Sequence, residues 1–265
     1  MAVSETLADP GHGRWRIVAA QELRDLWLGP RGPVVLLVYS VLLSVLAYLS
    51  AGNADLNLLD ARESVGVLVQ VAITVGALAA LVAGADAIAG ERERGTLEHL
   101  LLTPTPLSNI IIGKLVAALS VWFAAMVVAI PYVISLGDGP GVSADGVAVL
   151  IVAGSLIGVA LAGLGLAVSA VASSNRVSIA VSIVILLVLA APSQLPQTAS
   201  RGALGDVLIR ANPVSAGLRL ASNVLVDQRS WGSQWSLLIA PAIAAAIFIT
   251  IAVVLARRVK LGGLR

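Results

Sequence analysis

GERERGTLEHLLLTPTP, residues 90–106, separates two long apolar runs in a chain of 265 residues. The stretch holds five charged side chains, Glu91–Arg94 and Glu98, although charged residues make up only 12% of the chain and hydrophobic residues 58%. Soluble globular domains carry about 25% charged residues, so this composition excludes a water-soluble fold. A hydrocarbon core of about 30 Å requires roughly 20 consecutive apolar residues per helix, and the sequence supplies several such runs.

Six apolar segments are predicted to cross the membrane as helices. Their predicted bounds are 33–51, 64–90, 109–136, 146–172, 176–191 and 236–256. An even number of spans places both termini on one side, where 12 of the Lys and Arg residues lie, against 5 on the other side. Because basic residues are retained in the cytoplasm during insertion, both termini and the loop 91–108 are predicted to be cytoplasmic.

Two further segments are predicted to lie at the membrane boundary. Residues 14–28 have the period of a helix with Trp15 and Trp27 on one face, which is typical of a helix that lies in the interface. Between the fifth and sixth spans, residues 192–235 hold two short helical patterns separated by Asn212-Pro213. A connection of this length is rarely a simple linker, and it is expected to be re-entrant from the outer side.

The charged run is predicted to end the second span. Carboxylates are unfavourable at the C-terminus of a helix, by a few tenths to about 1 kcal/mol, so Glu91 and Glu93 require cationic partners. Arg94 can reach Glu91 within the helix, and Arg16 or Arg24 could reach it from the segment 14–28.

The residues after the charged run predict a second, much shorter helix. Gly95 supplies the left-handed conformation that ends the first helix, and Thr96 can cap the next one. That helix, Leu97–Leu102, is apolar and stops at Thr103-Pro104. By spacing alone it is either a solvated turn or a helix that rests on a protein surface, which could be the protein's own helices or another subunit.

Residues 87–117, AIAGERERGTLEHLLLTPTPLSNIIIGKLVA, carry a resemblance to a known family. The run of alternating Glu and Arg, the Gly-Thr-Leu-Glu, the Thr-Pro and the downstream Gly-Lys are similar to the cytoplasmic loop of type-2 ABC transporter permeases. In that family the loop forms a coupling helix seated in a cleft of a separate nucleotide-binding subunit.

The resemblance implies roles for two groups of residues. The residues implied to contact the ATPase subunit are Thr96, Leu97, Glu98, His99, Leu100, Leu101, Thr103 and Pro104. The residues implied to clamp the interfacial helix to the loop are Glu91, Glu93, Arg94, Arg16 and Arg24. Within the clamp, Glu91 is expected to pair with Arg24 or Arg16.

The chain shows no pattern typical of an enzyme or of a metal site. Its single Gly-Lys pair, Gly113-Lys114, lacks the first glycine of a phosphate-binding loop, because Ser108 stands there. ATP and Mg²⁺ are therefore expected on the partner subunit, with no cofactor on this chain. Asp86 and Lys114 lie at similar depth in adjacent spans, and a salt bridge between them is expected rather than an ion site.

Mid-span polar residues indicate a possible translocation path. They form three i,i+4 pairs, and each pair lies on one helix face: Ser40 and Ser44, Gln70 and Thr74, Ser178 and Ser182. The alternative is hydrogen bonding between helices of one packed bundle. Gly154 and Gly158 form a small-xxx-small pattern that is expected to pack the fourth span within its own subunit.

These features together predict an all-α membrane protein with a single transmembrane domain over residues 1–265. The predicted function is the permease subunit of an ABC exporter for an amphipathic, lipid-like or drug-like substrate, in a bacterial or archaeal cytoplasmic (inner) membrane. Its expected partners are an ABC nucleotide-binding subunit, a second or homologous permease, and the lipid bilayer, with no nucleic acid. The alternatives are an ion-coupled secondary transporter and a membrane anchor that docks an ATPase without transport.

Overall fold

The computed structural model describes residues 14–55, 60–95, 107–194 and 203–262, and within these ranges the chain is helical without strands. The α-helices in chain order are α1 (Arg14–Trp27), α2 (Arg31–Asp55), α3 (Ala61–Arg94), α4 (Leu107–Gly137), α5 (Ser143–Val171), α6 (Asn175–Ala190), α7 (Ala203–Ala211), α8 (Pro213–Leu225), α9 (Trp231–Gln234) and α10 (Ile239–Gly262). Short 3-10 turns follow α6 at Ala191–Gln194 and precede α10 at Trp235–Leu238.

Six helical segments of the described chain are long and apolar enough to cross a membrane, which confirms the predicted number. They are Arg31–Gly52, Ala61–Arg94, Ser108–Gly137, Ser143–Val171, Asn175–Ser193 and Trp231–Leu255. The second is longer than its predicted bounds at both ends. It starts early because Asp60 caps it, accepting a hydrogen bond from Arg62 N at 3.0 Å. At the other end it continues to Arg94 and stops at Gly95, the residue predicted to end the helix, whose φ of 72° is left-handed.

Helices α3 and α5 cross in backbone contact at the centre of the bundle. A Cβ atom on Gly84 would lie 2.5 Å from the Ala162 carbonyl oxygen and 3.0 Å from Leu166 N. Gly165 of α5 meets α3 in the same way, because a Cβ there would lie 2.9 Å from Ala85 N. Glycine is therefore required at both positions, and the two helices approach more closely than any other side chain would allow.

Trp122 of α4 fills the space beside the glycine pattern of α5. Cβ atoms on Gly154 and Gly158 would lie 2.8 Å and 2.7 Å from its ring, and the ring is fully buried. The indole Nε1 donates to Ser155 Oγ at 3.3 Å. The prediction that these glycines pack α5 within its own subunit is confirmed.

Helix α1 packs along α4. A Cβ on Gly113 would lie 2.7 Å from Val18, and Trp27 Nε1 donates to Ser120 Oγ at 3.0 Å. The predicted helix over 14–28 is therefore present one residue shorter. Its position in the membrane interface remains a prediction.

The segment before the last span contains the two predicted helices, α7 and α8. Asn212 caps α8 by accepting hydrogen bonds from Val214 N at 3.1 Å and Ser215 N at 3.2 Å, and Pro213 occupies the first helical position. Helix α8 is buried, with Gly217 against Ile157 of α5. A re-entrant position in the membrane remains a prediction.

Substitution of Gly84 by alanine is expected to destabilise the bundle. The added Cβ meets backbone atoms of α5, which cannot rotate away, so the free energy of unfolding should fall by about 1–3 kcal/mol. Gly52→Ala is the matched control, because Gly52 lies in α2 and a Cβ atom added there would have nothing within 4 Å. Thermal unfolding of the purified protein in detergent measures both variants, and equal midpoints would contradict the close crossing.

Candidate functional site

The last turns of α3, Asp86–Arg94, form a charged segment that is bonded to the ends of several other helices. We call it the α3 end. It reaches α2, α4, α5 and α6 directly, through hydrogen bonds and ion pairs of its side chains. The residues that follow Gly95 are those of the predicted coupling loop, and the described chain resumes at Leu107.

Lys114 of α4 is the most buried charge of this region. Its side chain is only 1% exposed, and its Nζ lies 2.7 Å from Glu22 Oε1 of α1 and also donates to Glu91 Oε1 of α3. A buried ammonium group is tolerated when carboxylates surround it and its donors are used. Lys114 therefore ties α1, α3 and α4 together at one point.

The predicted partners of Glu91 were wrong. Among ion pairs between described residues, Glu91 contacts Lys114 and neither Arg16 nor Arg24. Helix α1 turns Ala19 and Glu22 towards the bundle and leaves Arg24 exposed. Arg16 lies over the ring of its neighbour Trp15, 5.6 Å from the ring centroid. The link from Glu91 to α1 thus runs through a lysine and a second carboxylate.

The predicted salt bridge between Asp86 and Lys114 was also wrong. Asp86 Oδ2 accepts from Arg31 at 2.8 Å, at the start of α2, and its Oδ1 accepts from Asn175 Nδ2 at 2.7 Å, at the start of α6. Arg94 Nη1 lies farther away, 3.7 Å from Oδ1. Asp86 therefore joins α2 and α6 to α3, while Lys114 joins α1 and α4 to it.

Arg92 and Glu93 connect the α3 end to the short turn between α5 and α6. Arg92 donates to the carbonyl oxygens of Ala170, at 3.2 Å, and Ala172, where α5 ends. Glu93 Oε2 accepts from Asn175 N at 2.9 Å, where α6 begins. A cation thus lies at a helix C-terminus and an anion at a helix N-terminus, as the helix dipole favours. The N-terminus of α6 compensates the unfavourable position of Glu93 in its own helix.

Two serine hydroxyls bond to the backbone of α3 where this end begins. Ser169 Oγ of α5 accepts from Ile88 N at 3.0 Å and from Ala89 N at 2.8 Å, and Ser178 Oγ of α6 donates to Ala85 O at 2.8 Å. Both serines are fully buried. Side chains that insert at a helix backbone fix its position and direction. Sequence reasoning missed Ser169, because one serine among the small residues of α5 gives no signal of its own.

The residues of the predicted path do not all face the same environment. Ser178 and Ser182 are fully buried within the one chain. Ser178 bonds to the backbone of α3, which favours the alternative of hydrogen bonding between helices for this residue, whereas the hydroxyl of Ser182 has no hydrogen-bond partner among the described residues. Thr74 Oγ1 donates to Gln70 O of its own helix at 2.8 Å, and both residues are partly exposed. A path lined by Gln70 and Thr74 remains a prediction.

Ser40 and Ser44 form a small polar cluster with a tyrosine. Their hydroxyl oxygens lie 3.3 Å and 2.7 Å from Tyr132 Oη of α4, and Ser44 is exposed. This cluster was not foreseen, because Tyr132 is 88 residues from Ser44 in sequence. A role for the two serines in a path also remains a prediction.

The predicted coupling residues lie outside the described ranges. They are Thr96, Leu97, Glu98, His99, Leu100, Leu101, Thr103 and Pro104. Their contact with an ATPase subunit remains a prediction. No cluster of three or more potential metal ligands occurs within the part of the chain that the structure describes.

Comparison with models of known protein families places the chain beside one family. The model of the family described as "ABC-2 family transporter protein" matches residues 17–261, from within α1 to the last turn of α10. No curated protein matches the chain.

Lys114→Met is expected to destabilise the protein by about 3–5 kcal/mol, because the carboxylates of Glu22 and Glu91 both lose the buried ammonium group of Lys114. Adding Glu91→Gln should recover part of this loss, since the second change removes one of the two carboxylates that faced the lysine. Arg24→Gln is the control and should change stability by less than about 0.5 kcal/mol. Unfolding in detergent measures all three, and a loss with Arg24→Gln as large as with Lys114→Met would restore the arginine as the partner of Glu91.

Ser169→Ala is expected to cost about 1–3 kcal/mol, because two buried N–H groups of α3 lose their acceptor. Thr250→Val is a suitable control, since the Thr250 hydroxyl donates only to Ala246 O of its own helix and is exposed. Hydrogen exchange measured by mass spectrometry should show faster exchange around Ile88 and Ala89 in the Ser169 variant. Unchanged exchange there would mean that the hydroxyl is dispensable.

Proposed function

Because the chain belongs to the ABC-2 family of transporter proteins, a family of multi-pass membrane permeases, we propose that it is the membrane subunit of an ATP-driven exporter. The family implies a partner ABC ATPase subunit in addition to the membrane. The observation that carries the proposal is the convergence of helices on the α3 end. This end leads straight into the loop whose sequence resembles a coupling loop.

The first step of the proposal is docking of Thr96–Thr103 in a cleft of the ATPase subunit. ATP and Mg²⁺ bind to that subunit, and closure of two such subunits displaces the docked segment. Gly95 ends α3 immediately before it, in a left-handed conformation. Gly95 is the only residue between Thr96 and the α3 end. A displacement of the docked segment therefore reaches α3 directly.

The second step is transfer of this displacement to the spans. Glu91 and Lys114 pass it to α4 and α1, Asp86 passes it to α2 and α6, and Arg92 passes it to the end of α5. Several of these groups are largely shielded from water, where ionic hydrogen bonds are stronger than at a surface. The helix ends thus move together rather than one at a time.

The third step is alternating access of a path between two permeases, either two copies of this chain or this chain and a homologous one. Ser40, Ser44, Gln70 and Thr74 are the polar residues proposed to line it. The polar cluster with Tyr132 supports this, because it places hydroxyl groups on an exposed face of α2 and α4. A path with hydroxyl groups and few charges suits an amphipathic, lipid-like or drug-like substrate.

The proposed location is the cytoplasmic (inner) membrane of a bacterium or archaeon, with both termini and the α3 end in the cytoplasm. The excess of Lys and Arg on that side supports this orientation. Helix α1 is proposed to lie in the membrane interface, held to α4 by Glu22 and Trp27. In this position it moves with the coupling loop, through Lys114.

Replacement of residues 97–102 by Gly and Ser is expected to abolish stimulation of the partner ATPase, because the apolar face for docking is removed. The experiment co-expresses the chain with a candidate ATPase subunit, reconstitutes both in vesicles, and measures hydrolysis and the amount of ATPase that co-purifies. Gly139→Ser is the control, since Gly139 lies in the opposite loop with open space around it.

Two outcomes would contradict the proposal. Stimulation that survives the replacement would show that the loop does not couple the two subunits. An ATPase that co-purifies with the unaltered chain, but whose hydrolysis the chain never changes, would favour the membrane anchor.

A further inference from the structure

A groove on the outer surface of the bundle lies between the junction of α7 with α8 and one face of α10. Its volume is about 400 Å³, which is within the range of small-molecule sites. One wall is the row Ile239, Ile243 and Ile247, spaced four residues apart and therefore on one side of α10. At 1.5 Å per residue this row is about 12 Å long.

The isoleucine row is apolar, and no other part of the described chain covers it fully. The three side chains are 43%, 52% and 47% exposed. They belong to a helix that is long and apolar enough to span the membrane, within Trp231–Leu255. The row therefore lies at a depth where hydrocarbon chains are available to cover it.

The other end of the groove is cationic. Arg210 lines it, and the Arg210 side chain is 56% exposed. Its Nε donates to Asp206 Oδ2 at 2.7 Å, while Arg219 donates to Asp206 Oδ1 at 2.8 Å. Two guanidinium groups share one carboxylate, so the cluster keeps a net positive charge. The guanidinium of Arg210 has five N–H donors, more than its bond to Asp206 requires.

A cationic end joined to an apolar row matches an amphiphile with an anionic head and a hydrocarbon chain. We propose that the groove binds one anionic phospholipid, with its phosphate on Arg210 and one acyl chain along Ile239, Ile243 and Ile247. Arginine suits this role because its planar group forms paired hydrogen bonds with phosphate oxygens. A soluble anion would leave the isoleucine row uncovered, and a neutral lipid would leave the cationic cluster unmatched.

This lipid site lies away from the α3 end. Helix α8 contacts the first turns of α3, where a Cβ on Gly66 would lie 2.9 Å from Val226. The α3 end begins at Asp86, about 30 Å farther along the axis of this helix at 1.5 Å per residue. The proposal therefore requires only that the chain is a membrane protein, and it stands or falls independently of coupling to an ATPase.

The test measures lipid binding to the purified full-length chain by native mass spectrometry. The detergent-solubilised chain is titrated with phosphatidylglycerol or phosphatidylcholine of the same acyl chains. One phosphatidylglycerol per chain should bind, about fivefold more tightly than phosphatidylcholine, since one arginine at a lipid surface contributes about this much.

Variants of Arg210 and of the isoleucine row separate the contribution of the headgroup from that of the acyl chain. Arg210→Gln should remove the preference for phosphatidylglycerol, whereas Arg229→Gln, whose side chain is equally exposed at 56%, should keep it. Ile243→Trp should weaken both lipids by filling the groove, whereas Val254→Trp on the same helix should weaken neither. Equal binding of the two lipids by the unaltered chain, or a preference that survives Arg210→Gln, would overturn the proposal.

A photo-crosslinking amino acid at position 243 identifies the occupant directly in vesicles that contain phosphatidylglycerol. A lipid adduct on the 27.0 kDa chain supports the proposal. An adduct that joins two copies of the chain would overturn it, because the isoleucine row would then be a surface between subunits.

Discussion

A lysine side chain that is 1% exposed is the constraint on which the end of the bundle depends. The ammonium group of Lys114 cannot be hydrated where it lies, so it is stable only if carboxylates from neighbouring helices surround it. Glu22 and Glu91 meet that requirement, and they come from two different helices. One buried charge thus sets how α1, α3 and α4 are placed relative to one another.

Other polar groups of the α3 end are also satisfied by neighbouring helices, but their partners are backbone atoms. Arg92 lies at the carbonyl end of α5, and Glu93 lies at the amide end of α6. Ser169 of α5 and Ser178 of α6 both bond to the backbone of α3, and Ser169 reaches it where α3 and α5 cross at two glycines. Close approach at Gly84 and Gly165 brings short hydroxyl side chains within reach of main-chain atoms. The packing and the polar network of this region therefore support each other.

The two ends of the bundle differ in chemistry. The α3 end is charged, tightly bonded and adjacent to the loop that resembles a coupling loop, which suits the transfer of a displacement. At the other end, the junction of α7 and α8 places Arg210 beside the isoleucine row of α10, which is about half exposed in the described chain. The proposed roles differ accordingly: the first end connects the spans to a partner subunit, and the second interacts with lipid.

Much of the fold could be predicted from sequence because it depends on local properties of the chain. The number of spans follows from the length of the apolar runs, and the end of α3 follows from Gly95, which can adopt a left-handed conformation. The start of α8 follows from Asn212-Pro213 in the same way. Membership of the transporter family was also predictable, because residues 87–117 resemble its cytoplasmic loop, and the family model matches residues 17–261.

The sequence by itself thus determined the six spans, the end of α3 at Gly95 and the family. Only the tertiary structure decided which charges meet. Glu91 could have reached Arg16 or Arg24 as far as spacing allows, and Lys114 could have reached Asp86. The choice depended on which face of α1 turns inwards and on the depth at which α3 and α4 cross, and these are set by packing of side chains far apart in sequence. The same holds for Ser169, whose hydroxyl acquires two partners only because two glycines let the backbone of another helix come close.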